Sequence, residues 1–168
     1  MGREVRMVPP DWKHPLDPKT GHFQPKHKTP YKVAMADWEK QRDMWLKGYK
    51  FDFVSETWEP HQQDSDLDTF IDEWGGEPEP EYYMPEFAKG TATHLQMYET
   101  CSEGTPLSPI FATPEELARW LADNNASAFG SQGATYEQWL GMIQKGWAPS
   151  GVMQNGEIIS GVAAVAED

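Results

Sequence analysis

Along residues 31–49 apolar side chains return close to the helical period: Ala34, Met35, Trp38, Trp45 and Tyr49, with Lys40, Arg42 and Asp43 between them. The spacing predicts a helix over about 32–47, with Gly48 as its stop. Leu67, Phe70, Ile71 and Trp74 fall at i, i+3, i+4 and i+7 and predict a second helix within DSDLDTFIDEW. Asp64 or Ser65 would cap it, and Gly75-Gly76 would end it. In THLQMYETC, residues 93–101, the period shortens to two, with Leu95 and Met97 set against His94, Gln96 and Tyr98. That alternation predicts a strand. Thr113-Pro-Glu-Glu116 then combines an N-cap, a proline at the first helical position and a capping box, ahead of a buried stripe of Leu117, Trp120 and Leu121. A second box, Thr135-Tyr-Glu-Gln138, opens a further helix with Trp139, Leu140 and Ile143 inward and Gly146 as its stop. Near the end, Val152-Met153 and Ile158-Ile159 flank Asn155-Gly156, a strong hairpin signal.

Residues 1–30 contain six prolines, at 9, 10, 15, 18, 25 and 30. Proline fixes φ and removes a backbone donor, so the segment reads as an extended arm, neither helix nor central strand. Trp12 and Phe23 are its candidate anchors. The expected organisation is an arm at 1–30, a helical acidic subdomain with a proline-rich connector at 31–90, and a core domain at 91–168. The expected class is α+β: a small antiparallel sheet of about three strands, including the C-terminal hairpin, packed with three to four helices. No repeat of solenoid period is present.

Eight tryptophans, seven phenylalanines and six tyrosines in 168 residues supply core material, which argues against wholesale disorder. The most apolar C-terminal run, Ile158–Ala166, is nine residues long, against the roughly 20 a membrane helix requires. MGREVRMVPP lacks an apolar h-region and does not read as a secretory signal. The single cysteine, Cys101, excludes an internal disulfide and a multi-cysteine zinc site and points to a reducing cytoplasm. Charge changes the picture most. Residues 1–50 carry 11 Lys/Arg and 6 Asp/Glu, whereas residues 51–168 carry 3 and 21. Twelve of those acids fall within 51–90, where Lys89 is the sole Lys or Arg. Such a field repels nucleic acid and attracts basic proteins.

Candidate chemistry is thin. Cys101 and His94 sit on one predicted strand at an odd offset of seven, about 23 Å apart and on opposite faces, so they form no local nucleophile–base pair. Cys101 is expected to be a small buried or semi-buried thiol. His14, His22 and His27, with Asp11 and Asp17, match no compact zinc spacing and read as solvated side chains of the arm. Asp64, Asp66 and Asp68 resemble the start of a calcium loop, but position six would be Thr69 and position twelve Gly75, where such a loop needs glycine and glutamate. A capped acidic helix explains them better. Glu115 and Glu116 serve capping and the helix dipole. Gly130-Ser-Gln-Gly133 connects two helices and matches neither phosphate-loop pattern. Hence no catalytic residue, metal ligand or cofactor site is assigned.

The stretch EWGGEPEPEYYMPEF, 73–87, alternates Glu77, Glu79 and Glu81 with Pro78 and Pro80 and then presents Tyr82 and Tyr83. Proline favours an extended, polyproline-like path that projects the acids into water. The segment is either a packed connector or an acidic, aromatic recognition surface offering carboxylate pairing and apolar anchors.

Four blocks, GREVRMVP (2–9), PEYYMPEF (80–87), THLQMYETCSEGTPLSPIFATPEELARWLADN (93–124) and WAPSGVM (147–153), resemble a group of small acidic proteins encoded by tailed bacteriophages and prophages. The resemblance implies a phage product acting in the cytoplasm of an infected bacterium. It implies no individual site.

The leading expectation is a non-enzymatic phage accessory protein that binds and inhibits a basic host protein handling nucleic acid. A CRISPR effector or another defence nuclease would fit, through partial mimicry of nucleic-acid charge. The expected partner-binding residues are Asp64, Asp66, Asp68, Asp72, Glu73, Glu77, Glu79 and Glu81, with Tyr82 and Tyr83 as anchors. Neither direct nucleic-acid binding nor membrane association is expected. The alternative is a phage structural, assembly or replication accessory protein without an inhibitory role.

Overall fold

The computed structural model describes residues 2–102, 104–154 and 156–167. In chain order the elements are β1 (Gly2–Val8), α1 (Tyr31–Trp45), β2 (Tyr49–Asp52), β3 (Thr57–Pro60), α2 (Leu67–Trp74), a 3-10 turn (Pro80–Tyr82), β4 (His94–Glu99), β5 (Thr105–Pro106), α3 (Pro114–Asp123), α4 (Tyr136–Lys145), β6 (Trp147–Pro149), β7 (Gly151–Gln154), β8 (Glu157–Ser160) and α5 (Gly161–Glu167). The class is α+β, with a four-stranded antiparallel sheet, two hairpins and, among the described residues, five α-helices. By compactness the chain divides into one unit of residues 1–28 and 85–168 and another of residues 29–84.

The larger unit is built on the sheet β5-β4-β1-β6. Both predicted capping boxes are present at its helices: Thr113 and Glu116 start α3, and Thr135 and Gln138 start α4. Gly146 ends α4 in the left-handed region (φ 84°), which suits a residue without Cβ. Met97 of β4, Leu117, Ala118 and Leu121 of α3, Trp139, Met142 and Ile143 of α4, Ala148 of β6 and Val162 of α5 form one buried cluster. Each large apolar side chain taken wholly out of water contributes about 1.5–3 kcal/mol, so this helix-covered face is the unit's main stabilising layer. The β7–β8 hairpin pairs Val152 with Ile159 and Met153 with Ile158. Asn155 of its expected turn lies outside the described residues.

Residues 2–8, assigned above to an arm, form an inner strand paired with β4 on one side and β6 on the other. The prolines begin only at position 9, and Arg3, Glu4 and Arg6 disguise a buried strand as a polar tail. Val5 lies opposite Met97 on the helix-covered face, while Glu4 and Arg6 lie opposite Tyr98 and Gln96 on the other. That second face is buried too, beneath residues 12–26 of the same unit. Arg6 donates from Nε to Glu4 Oε1 (2.6 Å) and from Nη1 to the Lys26 carbonyl (2.6 Å), and its guanidinium lies 4.2 Å from the Tyr98 ring centroid. Lys28 sits 3.7 Å from the second Glu4 oxygen. Trp12 Nε1 donates to the Tyr98 hydroxyl (3.3 Å) and packs edge-on to Phe87. The arm is therefore a strap that closes the sheet's polar face.

His14 is not the solvated side chain expected of an arm. It is buried, with Nε2 2.6 Å from the Gln24 carbonyl, Nδ1 3.1 Å from the Tyr98 hydroxyl and Phe23 against its ring. Burial lowers its pKa below the ordinary 6.5, the Gln24 carbonyl opposes the shift, and the nearby Lys26 and Arg6 cations reinforce it. Cys101, expected to be at least half buried, is exposed, with Sγ 3.3 Å from Ser150 Oγ. It lies in the turn after β4, which ends at Glu99, two residues short of the predicted strand's end.

In the smaller unit, α1 and α2 meet through Trp38 and Trp45, which pack against Phe70. His61 stacks on Trp45 at 4.0 Å and makes a 3.0 Å hydrogen bond to the Trp45 carbonyl. The cap of α2 is Asp66, rather than Asp64 or Ser65; its carboxylate accepts from the Thr69 amide at 2.9 Å.

Two outcomes follow from the strap. Gly104 has φ +99°, and a Cβ there would fall inside contact distance of the Lys26 carbonyl and the Arg6 guanidinium. Gly104→Ala is expected to destabilise the protein by more than the roughly 1–3 kcal/mol of backbone strain alone, read as a fall in chemical-denaturation midpoint. Because the folded state holds His14 neutral, its contribution is complete above the unfolded pKa near 6.5 and is lost as pH falls below it. Stability measured from pH 7.5 down to 5.5 should decline, and His14→Gln should flatten that decline.

Candidate functional site: an acidic unit with exposed apolar anchors

Grouping the charges by unit sharpens the asymmetry. Residues 29–84 hold 14 Asp/Glu and 5 Lys/Arg, a net of −9, while the rest of the chain holds 13 and 9, a net of −4. All ten residues singled out for partner binding belong to the smaller unit.

The eight acids among them are all exposed. Asp64 and Asp66 lie at the start of α2, where the Asp64 carbonyl takes the Thr69 hydroxyl. Asp66 is held below the usual carboxylate range, chiefly by the Thr69 amide and then by the Thr69 hydroxyl. Asp68 and Asp72 share one row of the helix at i and i+4, and Glu73 follows. Glu77 and Glu79 precede the 3-10 turn and Glu81 lies within it, so the proline-rich path turns rather than staying extended. Neither Asp64, Asp66, Asp68, Asp72 and Glu73 nor Glu77 and Glu79 form an ion pair with a described residue. In the larger unit Arg3 pairs with Glu99, and Arg6 and Lys28 pair with Glu4.

The two tyrosines separate. Tyr82 is exposed, whereas Tyr83 is half-buried with its ring 5.7 Å from that of Tyr31. Burial, and secondarily Tyr31, raises the Tyr83 pKa. The aromatic residues of 73–87 are thus partly structural: Trp74 packs on Phe53 and Phe87 on Trp12.

The β2–β3 hairpin was missed in the sequence, although Tyr49-Lys-Phe-Asp-Phe53 alternates aromatic and polar side chains with period two. Its register sets Phe51 opposite Trp58. Asp52 shapes the tip by accepting from the Val54 amide (2.8 Å) and the Ser55 hydroxyl (3.0 Å), and those bonds, the Val54 amide first, lower its pKa. The tip holds Phe53 66% and Val54 94% exposed. On α2, Leu67 (46%) and Ile71 (39%) are also exposed, in the row beside Asp68 and Asp72. Single exposed apolar residues are ordinary. Four of them and seven exposed carboxylates without an ion pair to a described residue, in one unit of 56 residues, are the two ingredients of a contact surface.

Among the described residues, no group of three His, Cys, Asp or Glu is placed to hold a metal, and no helix is long and apolar enough to cross a membrane. No protein-family model matches the chain, and neither a curated protein nor a solved structure does.

Asp66→Ala removes the α2 cap, so the Thr69 amide should exchange several-fold faster with solvent while amides of β1 and β4 keep their rates. Equal acceleration in both units would contradict a local capping role.

Proposed function

We propose that the chain is a non-enzymatic, phage-encoded binding protein of the infected bacterial cytoplasm, and that residues 29–84 dock on the basic groove of a host nucleic-acid-handling protein. A CRISPR effector or another defence nuclease is the partner class, and occupation of its groove is the means of inhibition. The observation that carries the reading is one compact unit with a net charge of −9 and Phe53, Val54, Leu67 and Ile71 exposed among its acids. The phage origin rests on the resemblance of the four sequence blocks given above.

Charge and apolar anchors have separate tasks in such a contact. Complementary fields raise association rates from a neutral 10⁵–10⁶ M⁻¹s⁻¹ toward about 10⁸ M⁻¹s⁻¹ at low salt. At physiological ionic strength the screening length is about 8 Å, so exposed carboxylates hold a complex weakly once it forms. Desolvated aromatic and aliphatic anchors set how long it lasts; truncating a good one commonly costs about 2 kcal/mol or more. The acids steer and the anchors retain.

The tagged full-length chain, used to capture proteins from host lysate at low salt, should retain a nucleic-acid-binding protein that duplex DNA displaces. With that protein purified, Asp68→Asn, Asp72→Asn, Glu73→Gln and Glu77→Gln combined should slow association about ten-fold at low salt and leave dissociation nearly unchanged. Phe53→Ser with Val54→Ser should do the reverse. Capture that is indifferent to charge neutralisation and to DNA would overturn the proposal.

A further inference from the structure

We propose that the cleft at Phe111 and Trp120, in the larger unit, is a second binding site, which takes arginine side chains of a basic, extended peptide. Its lining residues all belong to the larger unit, and it does not depend on the function proposed for residues 29–84. The cleft has a volume of about 610 Å³, within the roughly 300–1,000 Å³ of ligand sites and larger than one guanidinium needs. Its walls include Phe111 and Trp120, whose ring centroids lie 6.1 Å apart at 43°, forming a corner rather than a stack.

The corner is preformed. Leu95 and Phe111 exchange both backbone hydrogen bonds, 2.8 and 2.9 Å, which pins the loop before α3 to β4. The capping box fixes the start of α3, and Asn124 Nδ2 donates to the Trp120 carbonyl (2.8 Å) at its other end. A rigid aromatic wall loses little freedom when a ligand binds.

Charge selects the ligand. Glu116, Trp120 and Asp123 all line the cleft, at i, i+4 and i+7 of α3. Trp120 therefore lies between the two acids in the helix, whose backbone positions are about 10 Å apart along its axis. The α3 N-terminus, which would otherwise attract an anion, is already filled: Glu116 Oε2 accepts from the Ala112 and Thr113 amides at 3.2 and 3.3 Å. The one Lys or Arg of the lining, Arg119, lays its guanidinium 4.1 Å over the Tyr136 ring. His94, the remaining titratable lining residue, has Nδ1 2.9 Å from the Thr93 hydroxyl. Among its lining the cleft thus presents the Trp120 ring with Asp123 and the capping Glu116 on the same helix. A planar guanidinium can stack on indole while its edge meets a carboxylate, which an ammonium point charge does less well. Two arginines separated by one residue would span the two acids.

The test uses the full chain with ¹⁵N-labelled tryptophan indoles, titrated with acetyl-Arg-Gly-Arg-amide. A saturable shift of the Trp120 indole resonance is expected, weakened about three- to five-fold by Asp123→Asn and similarly by Glu116→Gln, which keeps the capping oxygen. The spectrum of each variant without peptide should otherwise be unchanged. Acetyl-Gln-Gly-Gln-amide should give no saturable shift. The proposal is overturned if the arginine peptide leaves Trp120 unmoved, if the glutamine peptide binds equally, or if both variants bind like the parent.

Discussion

The larger unit depends on how a strand bearing three charges is buried in the middle of a sheet. Arg3, Glu4 and Arg6 of β1 are each less than a tenth exposed, and an uncompensated buried charge costs several kcal/mol. Glu4 neutralises Arg6, the Lys26 carbonyl takes a further guanidinium proton, and the Ser127 carbonyl takes the Arg3 Nε–H at 2.8 Å. The pairing is weak evidence for net stability, because well-packed apolar residues would serve as well or better. Its structural consequence is firmer: the polar face of the sheet cannot face an apolar layer. It is covered instead by a strap whose Trp12, His14 and Lys26 backbone supply matching donors and acceptors.

The strap and Phe87 belong to the larger unit, which the chain leaves after residue 28 and rejoins at residue 85. The intervening unit carries most of the acid excess and packs itself through Trp38, Trp45, Phe70 and His61. Packing uses the inner rows of α1 and α2 and leaves Leu67 and Ile71 outside, beside Asp68 and Asp72. Carboxylates steer at long range and apolar side chains hold at contact, so their coexistence on one small unit is what a surface for a basic partner requires. The cleft on α3 uses the same pair of ingredients at the scale of a side chain.

Much of the fold was legible because the signals were local. Thr113-Pro-Glu-Glu116 and Thr135-Tyr-Glu-Gln138 specify their helix starts through bonds spanning three residues, and both form. Alternation predicted β4, and apolar spacing predicted α1 and α2. Of the expected site, the acids' exposure was legible, since nothing in their surroundings could bury so many charges of one sign. The roles of the aromatics were not: Tyr83 turns to Tyr31 and Phe87 to Trp12, contacts 52 and 75 residues away in sequence.

By itself the sequence determined where α3 and α4 begin, that residues 94–98 alternate, and that carboxylates crowd into residues 51–90, because caps, periods and charge counts are properties of neighbouring residues. Tertiary structure alone decided that GREVRMV is an inner strand, that His14 is buried rather than solvated, and that Phe53 and Val54 stand exposed at a hairpin tip. The first two outcomes turn on partners far along the chain, and the third on the β2–β3 pairing that sets the tip. Burying Arg6 and His14 is tolerable only where Glu4, Tyr98 and the strap carbonyls meet them, and that meeting is set by the register between β1 and β4.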